Sequence, residues 1–160
     1  MIRPVKIEDV KEILEIYNYY VTNTVVTFDL KVLSLEVFKE KIKTINQDYP
    51  FIVFEENNEI LGYAYGSRFR PKPAYNNTVE STVYVKNGSH GKHIGTKLYY
   101  ELLKLLKNKK FHIVLGALTL PNEASVKLHE KFGFKKVGHL NEVGLKFGSW
   151  HDVGFWQLTF

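Results

Sequence analysis

Residues Thr78–Leu103 run T-V-E-S-T-V-Y-V-K-N-G-S-H-G-K-H-I-G-T-K-L-Y-Y-E-L-L, and a change of rhythm inside this stretch decides the fold class. Thr78–Val85 is rich in β-branched and aromatic residues and predicts a strand. Leu98, Leu102, Leu105 and Leu106 then recur at helical spacing and predict a helix lasting to about Lys107. Between them lies a polar turn holding Gly88, Gly91 and Gly95. A helix entered through such a loop aims unpaired N–H groups and its positive dipole end at an anion, and phosphate is the natural guest. The loop fits neither the Walker pattern, which needs G-K before Ser or Thr, nor G-x-G-x-x-G. Taken alone, it is equally well explained as a turn that needs positive φ angles.

Outward from this unit, Ile2–Val5 predicts a strand. Val10, Ile13, Leu14, Tyr17 and Val21 predict a helix whose positive start is favoured by Glu8 and Asp9. Thr22–Leu33 has no clear period. Ser34 is placed to cap a second helix carrying Leu35, Phe38, Ile42 and Ile45, which Pro50 ends. Phe51–Phe54 and Ile60–Tyr65 predict an antiparallel hairpin, followed by the loop R-F-R-P-K-P-A-Y at residues 68–75. His112–Leu120 predicts a buried strand, Asn122–Lys131 a short helix beyond Pro121, and Phe134–Phe160 three further strands. The order β-α-α-β-β-β-α-β-α, closed by strands, describes an α/β (α+β) domain over residues 1–160, a mixed sheet with helices against its faces.

Composition narrows the function classes. At 160 residues with 44% hydrophobic content the chain can bury a sizeable core, so disorder is excluded as its main state. The absence of cysteine removes disulfide frameworks, thiolate metal sites and cysteine nucleophiles, and suits a reducing cytoplasm. No apolar run approaches the roughly 18 residues of a membrane span, and Glu8 and Asp9 stand where a secretory signal needs apolar residues. The net charge of +5 comes mostly from scattered lysines, with arginine only at 3, 68 and 70, so no nucleic-acid partner is expected. His90 and His93 lie at i, i+3, but with no third histidine or carboxylate beside them they make a poor metal site, and no metal is expected.

With its flanks, the 78–103 stretch resembles the coenzyme A site of the GNAT acetyltransferases. A-Y-N-N-T-V-E-S-T-V-Y-V, L-P-N-E-A-S-V-K-L-H-E and G-S-W-H-D-V-G-F-W-Q-L resemble the phosphinothricin N-acetyltransferase branch of that family, in its order and over essentially the whole chain. The resemblance implies a GNAT fold, acetyl-coenzyme A as donor, a primary amine as acceptor and a homodimer. It also implies a cofactor site made of Val83, Tyr84, Val85, His90, Gly91, Lys92, His93, Ile94, Gly95 and Thr96, joined by Asn122 and Ser125 on the pantetheine arm. Against the family pattern Q/R-x-x-G-x-G/A, His90 and His93 depart at two of three positions. His93 stands where glycine usually lets the backbone approach the diphosphate. Its side chain must therefore accept angles that glycine adopts more easily, or the turn must differ.

An amine of the amino-acid type, with a pKa of roughly 8 to 10, is mostly protonated at neutral pH and cannot attack a thioester until a proton is removed. Glu80, inside an otherwise strand-like run, is a suitable base if buried, and its alignment with the family's T-x-E-S-T-V-Y-V implies that role. His129 falls where many GNAT enzymes carry a tyrosine acid, and acid, base and positioning roles are all open to it. Arg70 and Lys72, with Arg68, form a basic loop suited to an anionic amino-acid analogue such as phosphinothricin, methionine sulfoximine or methionine sulfone, with Tyr75 and Tyr84 as wall residues. His151 and Asp152, adjacent on a strand, point to opposite faces and form no dyad, and Trp150 and Trp156 are expected to pack in core and dimer contacts. A noncatalytic acyl-coenzyme A sensor on the same fold is the alternative.

Overall fold

Strand alternation settles which side of the sheet each helix covers. In a computed structural model describing residues 1–160, β1 (Ile2–Pro4) leads into α1 (Val10–Asn23) and α2 (Leu35–Asp48). Then come β2 (Phe51–Glu56), β3 (Glu59–Arg68), β4 (Thr78–Val85), α3 (Ile94–Asn108), β5 (Ile113–Leu120), α4 (Glu123–Lys131), β6 (Lys135–Lys146) and β7 (Ser149–Thr159). The sheet order is β1-β2-β3-β4-β5-β7-β6, antiparallel except for the parallel pair β4–β5. β2 sends Phe51 and Val53 to one face, where they meet Ile13, Tyr17 and Phe38 of α1 and α2. It sends Ile52 and Phe54 to the other, where Leu98, Leu102 and Leu106 of α3 pack. No helix is long and apolar enough to cross a membrane.

Ser34 caps α2 as its position predicts, accepting from the Val37 N–H at 3.3 Å. Asp9 does more than favour the start of α1. Its carboxylate accepts the Lys6 N–H (2.7 Å) and both terminal nitrogens of Arg3 (2.7 and 2.9 Å), tying β1 to the helix.

One expectation is corrected at the C-terminal end. Phe134–Phe160 contains two long strands rather than three. The segment N-E-V-G at 141–144 resembles a turn, but it is taken up as an irregularity of β6, where the register shifts between Leu140 and Gly144. Glu142 adopts φ 51° there, and its N–H is satisfied by the Asp152 carboxylate at 2.8 Å, so the ladder resumes beyond it.

Candidate active site

β4 and β5 pair only where Thr78–Glu80 faces Ile113–Leu115, and beyond that point the two parallel strands diverge. Ser81 sits at the fork. Its hydroxyl donates to the Leu115 carbonyl (3.1 Å), so the Tyr99 hydroxyl, 2.6 Å away, donates to it. The Lys86 N–H reaches the Leu61 carbonyl at 2.8 Å, which makes Gly62 and Val85 a non-hydrogen-bonded pair of the β3–β4 ladder. Val83 and Val85 therefore turn their N–H and C=O groups away from β3 and into the gap. The Val85 carbonyl is taken by the Tyr20 hydroxyl at 2.6 Å, which leaves two backbone N–H groups facing the cleft.

The cleft widens into a cavity of about 450 Å³ lined by Val83, Tyr84, Val85, His90, Gly91, His93, Ile94, Gly95, Thr96, Asn122 and Ser125. Lys92 is the exception among the residues expected here: its amine turns outward to Glu56 at 3.6 Å. Gly88 and Gly91 have φ of +84° and +86°, as the turn reading requires. His93 resolves the question posed by its side chain. It adopts φ 59°, ψ 19°, the left-handed conformation otherwise left to glycine, as the residue capping α3. The first intrahelical bond runs from Lys97 N–H to the His93 carbonyl (3.0 Å), so the N–H groups of Ile94, Gly95 and Thr96 have no helical partner at the cavity wall. Tyr20, Val26, Ser89, Lys127 and Lys131 also line it and were not expected. The two lysines, four apart on α4, share one helix face with Ala124 and Leu128 of the same lining.

A second cavity, about 320 Å³, shares Val26, Val83, Tyr84, Asn122 and Ser125 with the first and holds Glu80 and His129 in one lining. Glu80 is the one formally charged side chain there, and burial alone pushes its carboxyl up from the ordinary range. His129 is enclosed by Tyr99 and Phe134, with ring centroids at 5.0 and 5.1 Å. Gly116 leaves room for it, since a Cβ there would come within 2.4 Å of Nε2. Its Nδ1 lies 2.7 Å from the Ser125 carbonyl, which can only accept, so Nδ1 carries the proton. Burial lowers the imidazole pKa, opposed in part by that bond. The ring is therefore neutral near pH 7, with Nε2 an acceptor, and of the three roles left open that of proton donor to a departing thiolate fits it least.

The basic loop is not brought into this lining. The Arg70 guanidinium stacks on Phe69 and Tyr75 at 5.0 and 5.7 Å, Arg68 donates within the loop to the carbonyls of Arg70 and Pro71, and neither Lys72 nor Tyr75 reaches either cavity. Tyr84 alone of the expected wall residues lines both. The physical reason lies in the loop itself, whose aromatic rings and carbonyls engage both arginines. Val26, Thr27 and Phe28 supply the missing wall, from the aperiodic segment that offered no signal. His151 and Asp152 do part as strand neighbours should, yet Asp152 finds another histidine, His139, at 2.8 Å on the exposed hairpin. Trp156 packs in the core, whereas Trp150 is exposed and does not pack within the subunit. No three His, Asp or Glu side chains are grouped to hold a metal ion.

A forked parallel pair, with a helix start at its mouth and two free amides along its wall, accommodates a long, thin acyl carrier with a phosphate head. This is the architecture of acetyl-coenzyme A-dependent acetyltransferases. The chain belongs to the GNAT acetyltransferase family: residues 2–154 match the Acetyltransferase (GNAT) domain. It is 40% identical to the phosphinothricin N-acetyltransferase of Streptomyces coelicolor over 98% of this chain and 94% of that one. It is 35% identical to the L-methionine sulfoximine/L-methionine sulfone acetyltransferase of Pseudomonas aeruginosa over 99% and 93%. A Sinorhizobium meliloti phosphinothricin acetyltransferase in complex with acetyl-coenzyme A superposes with a TM-score of 0.97 at 31% identity, covering 100% of this chain and 88% of that one.

Proposed function

We propose that this acetyltransferase moves the acetyl group of acetyl-coenzyme A to the primary amine of a small amino-acid analogue of the phosphinothricin, methionine sulfoximine or methionine sulfone type, with Glu80 as general base. The carrying observation is a half-buried carboxylate, unpaired with any cation, in a cavity that shares five lining residues with the cofactor cleft. The Glu80 carboxylate takes a proton from the bound ammonium, directly or through one water. The freed amine attacks the thioester carbon, and the Val83 and Val85 N–H groups are placed to stabilise the oxyanion. Collapse expels the thiolate, which takes up a proton and leaves as free thiol, while the second amine proton is lost to give the amide. The α3 start, with Ile94, Gly95 and Thr96, would hold the diphosphate, and Asn122 the pantetheine arm. His129 serves as an acceptor that orients the acceptor amine or the carrier.

A panel of phosphinothricin, methionine sulfoximine, methionine sulfone, polyamines and peptide N-termini, assayed for thiol release, tests this reading. Turnover with the three amino-acid analogues supports it. Coenzyme binding without turnover of any amine would instead mark a sensor domain. Arg70 and Lys72, outside the cavity, are assigned to attraction at its approach, so Arg70→Ala should raise KM for an anionic amino acid more than for a neutral amine. Equal effects on the two would remove the loop from substrate choice. We also propose a cytoplasmic setting, where the acyl donor is available, and a homodimer through β6 and β7. Leu140, Val143, Leu145, Phe147 and Trp150 leave an exposed apolar surface on that hairpin.

A further inference from the structure

Lys146 is the one buried lysine of the chain, and the chemistry described above makes no use of it. It ends β6, and its amine donates to the Thr27 carbonyl at 2.8 Å while lying 5.1 Å from the Phe147 ring centre. Two residues earlier, Gly144 lies under the Phe28 ring so closely that a Cβ would come within 2.3 Å of it. From the other side the Tyr17 hydroxyl of α1 meets Thr27 Oγ1 at 2.9 Å and also bonds the Asp29 carboxylate. Val26, Thr27 and Phe28 have no helix or ladder to fix them, and all three line the cavity that holds Glu80. Their position is thus set by clamps at both sides, and a buried ammonium with a backbone carbonyl is the stronger kind of clamp.

We infer that Lys146 is a positioning residue for the acceptor wall, so that β6 sets which amine the cavity accepts without touching it. The inference rests on the acetyltransferase reading for its kinetic consequence but not for its structural one. Burial lowers the amine's pKa, opposed in part by the Asp29 charge. An apolar replacement of similar length leaves the Thr27 carbonyl without its donor and frees the wall.

The test compares wild type with Lys146→Met, Lys146→Arg and Gly144→Ala, the last of which displaces Phe28 while sparing the amine. Three readouts are used: acceptor KM, coenzyme A affinity by calorimetry, and hydrogen exchange of the Val26–Asp29 amides. Lys146→Met is expected to raise acceptor KM by about tenfold, to leave coenzyme A affinity within about twofold, and to speed exchange at Val26–Asp29 but not along α1. Lys146→Arg should recover part of both effects, and Gly144→Ala should shift acceptor KM from the other side. Unaltered exchange and acceptor KM in folded Lys146→Met would overturn the inference, as would equal losses of coenzyme and acceptor binding. Should Lys146→Met not fold, Gly144→Ala and Lys146→Arg decide it by the same split. If the wild type acetylates no amine in the panel while exchange still responds, the positioning role stands and the acetyltransferase reading falls.

Discussion

Glu80 combines two opposed demands in one side chain. In the proposed role of base it must be ionised, yet as a half-buried group it is favoured when protonated, since partial burial raises its pKa. The native state thus binds the Glu80 proton more tightly than the unfolded chain. The resulting stability is present below the ordinary carboxylate range and is lost as pH rises through the folded value. Glu80→Gln should therefore raise the melting temperature at pH 7, by about 2–4 °C for each kcal/mol released, and bring no gain near pH 4. The same change should lower kcat/KM by about a hundredfold or more and remove the limb of the pH profile that falls on the acid side. A melting temperature insensitive to the substitution at both pH values would mean that the carboxylate is solvated and a poor base. Glu80 stood out as a carboxylate inside a β-branched run, while its proposed role came from the resemblance to T-x-E-S-T-V-Y-V and not from its position. The wall residues Val26–Phe28 were not legible, since a segment held by distant clamps has no period of its own.

At the scale of elements, the start of α3 turns on one backbone conformation. His93 adopts left-handed angles, which cost a non-glycine residue about 1–2 kcal/mol, so the turn keeps the path that glycine would give it and the expense is local strain. His93→Gly should leave coenzyme A affinity within about threefold and change stability by no more than about 1 kcal/mol, because relief of strain is offset by a more flexible unfolded chain. His93→Val, β-branched and poorly suited to these angles, should lower the melting temperature and weaken coenzyme binding together. Calorimetric titration and thermal melts of the pair check this. Equal behaviour of the Gly and Val variants would show that the left-handed turn is not needed for the site. Sequence placed the strand to the residue and the helix end within one, but carried the loop through Thr96, into what is the first turn of α3. It could not choose between a strained histidine and a remodelled turn, because that choice depends on how tightly Ile94 and Leu98 seat α3 against the sheet.

Across the whole molecule, the sheet ends in an open edge that sequence reading divided wrongly. β6 pairs with β7 alone, and a long outer strand left open is a ready site for association. Its inward residues Gly144 and Lys146 serve the acceptor wall, whereas Leu145 faces out beside its cross-strand partner Trp150, with Phe147 exposed at the turn. Such alternation, apolar on the side away from the domain, suits a self-complementary contact between two copies, in which the same patch meets itself across a twofold axis. Trp150→Glu places a charge at the centre of that contact and should halve the mass measured in solution at micromolar concentration, with the monomer remaining folded because Trp150 adds nothing to the core. Since β6 also carries Lys146, the monomer should show a raised acceptor KM with coenzyme A affinity held. A wild type that is already monomeric under these conditions would remove the contact, and with it any link between subunit pairing and the acceptor cavity.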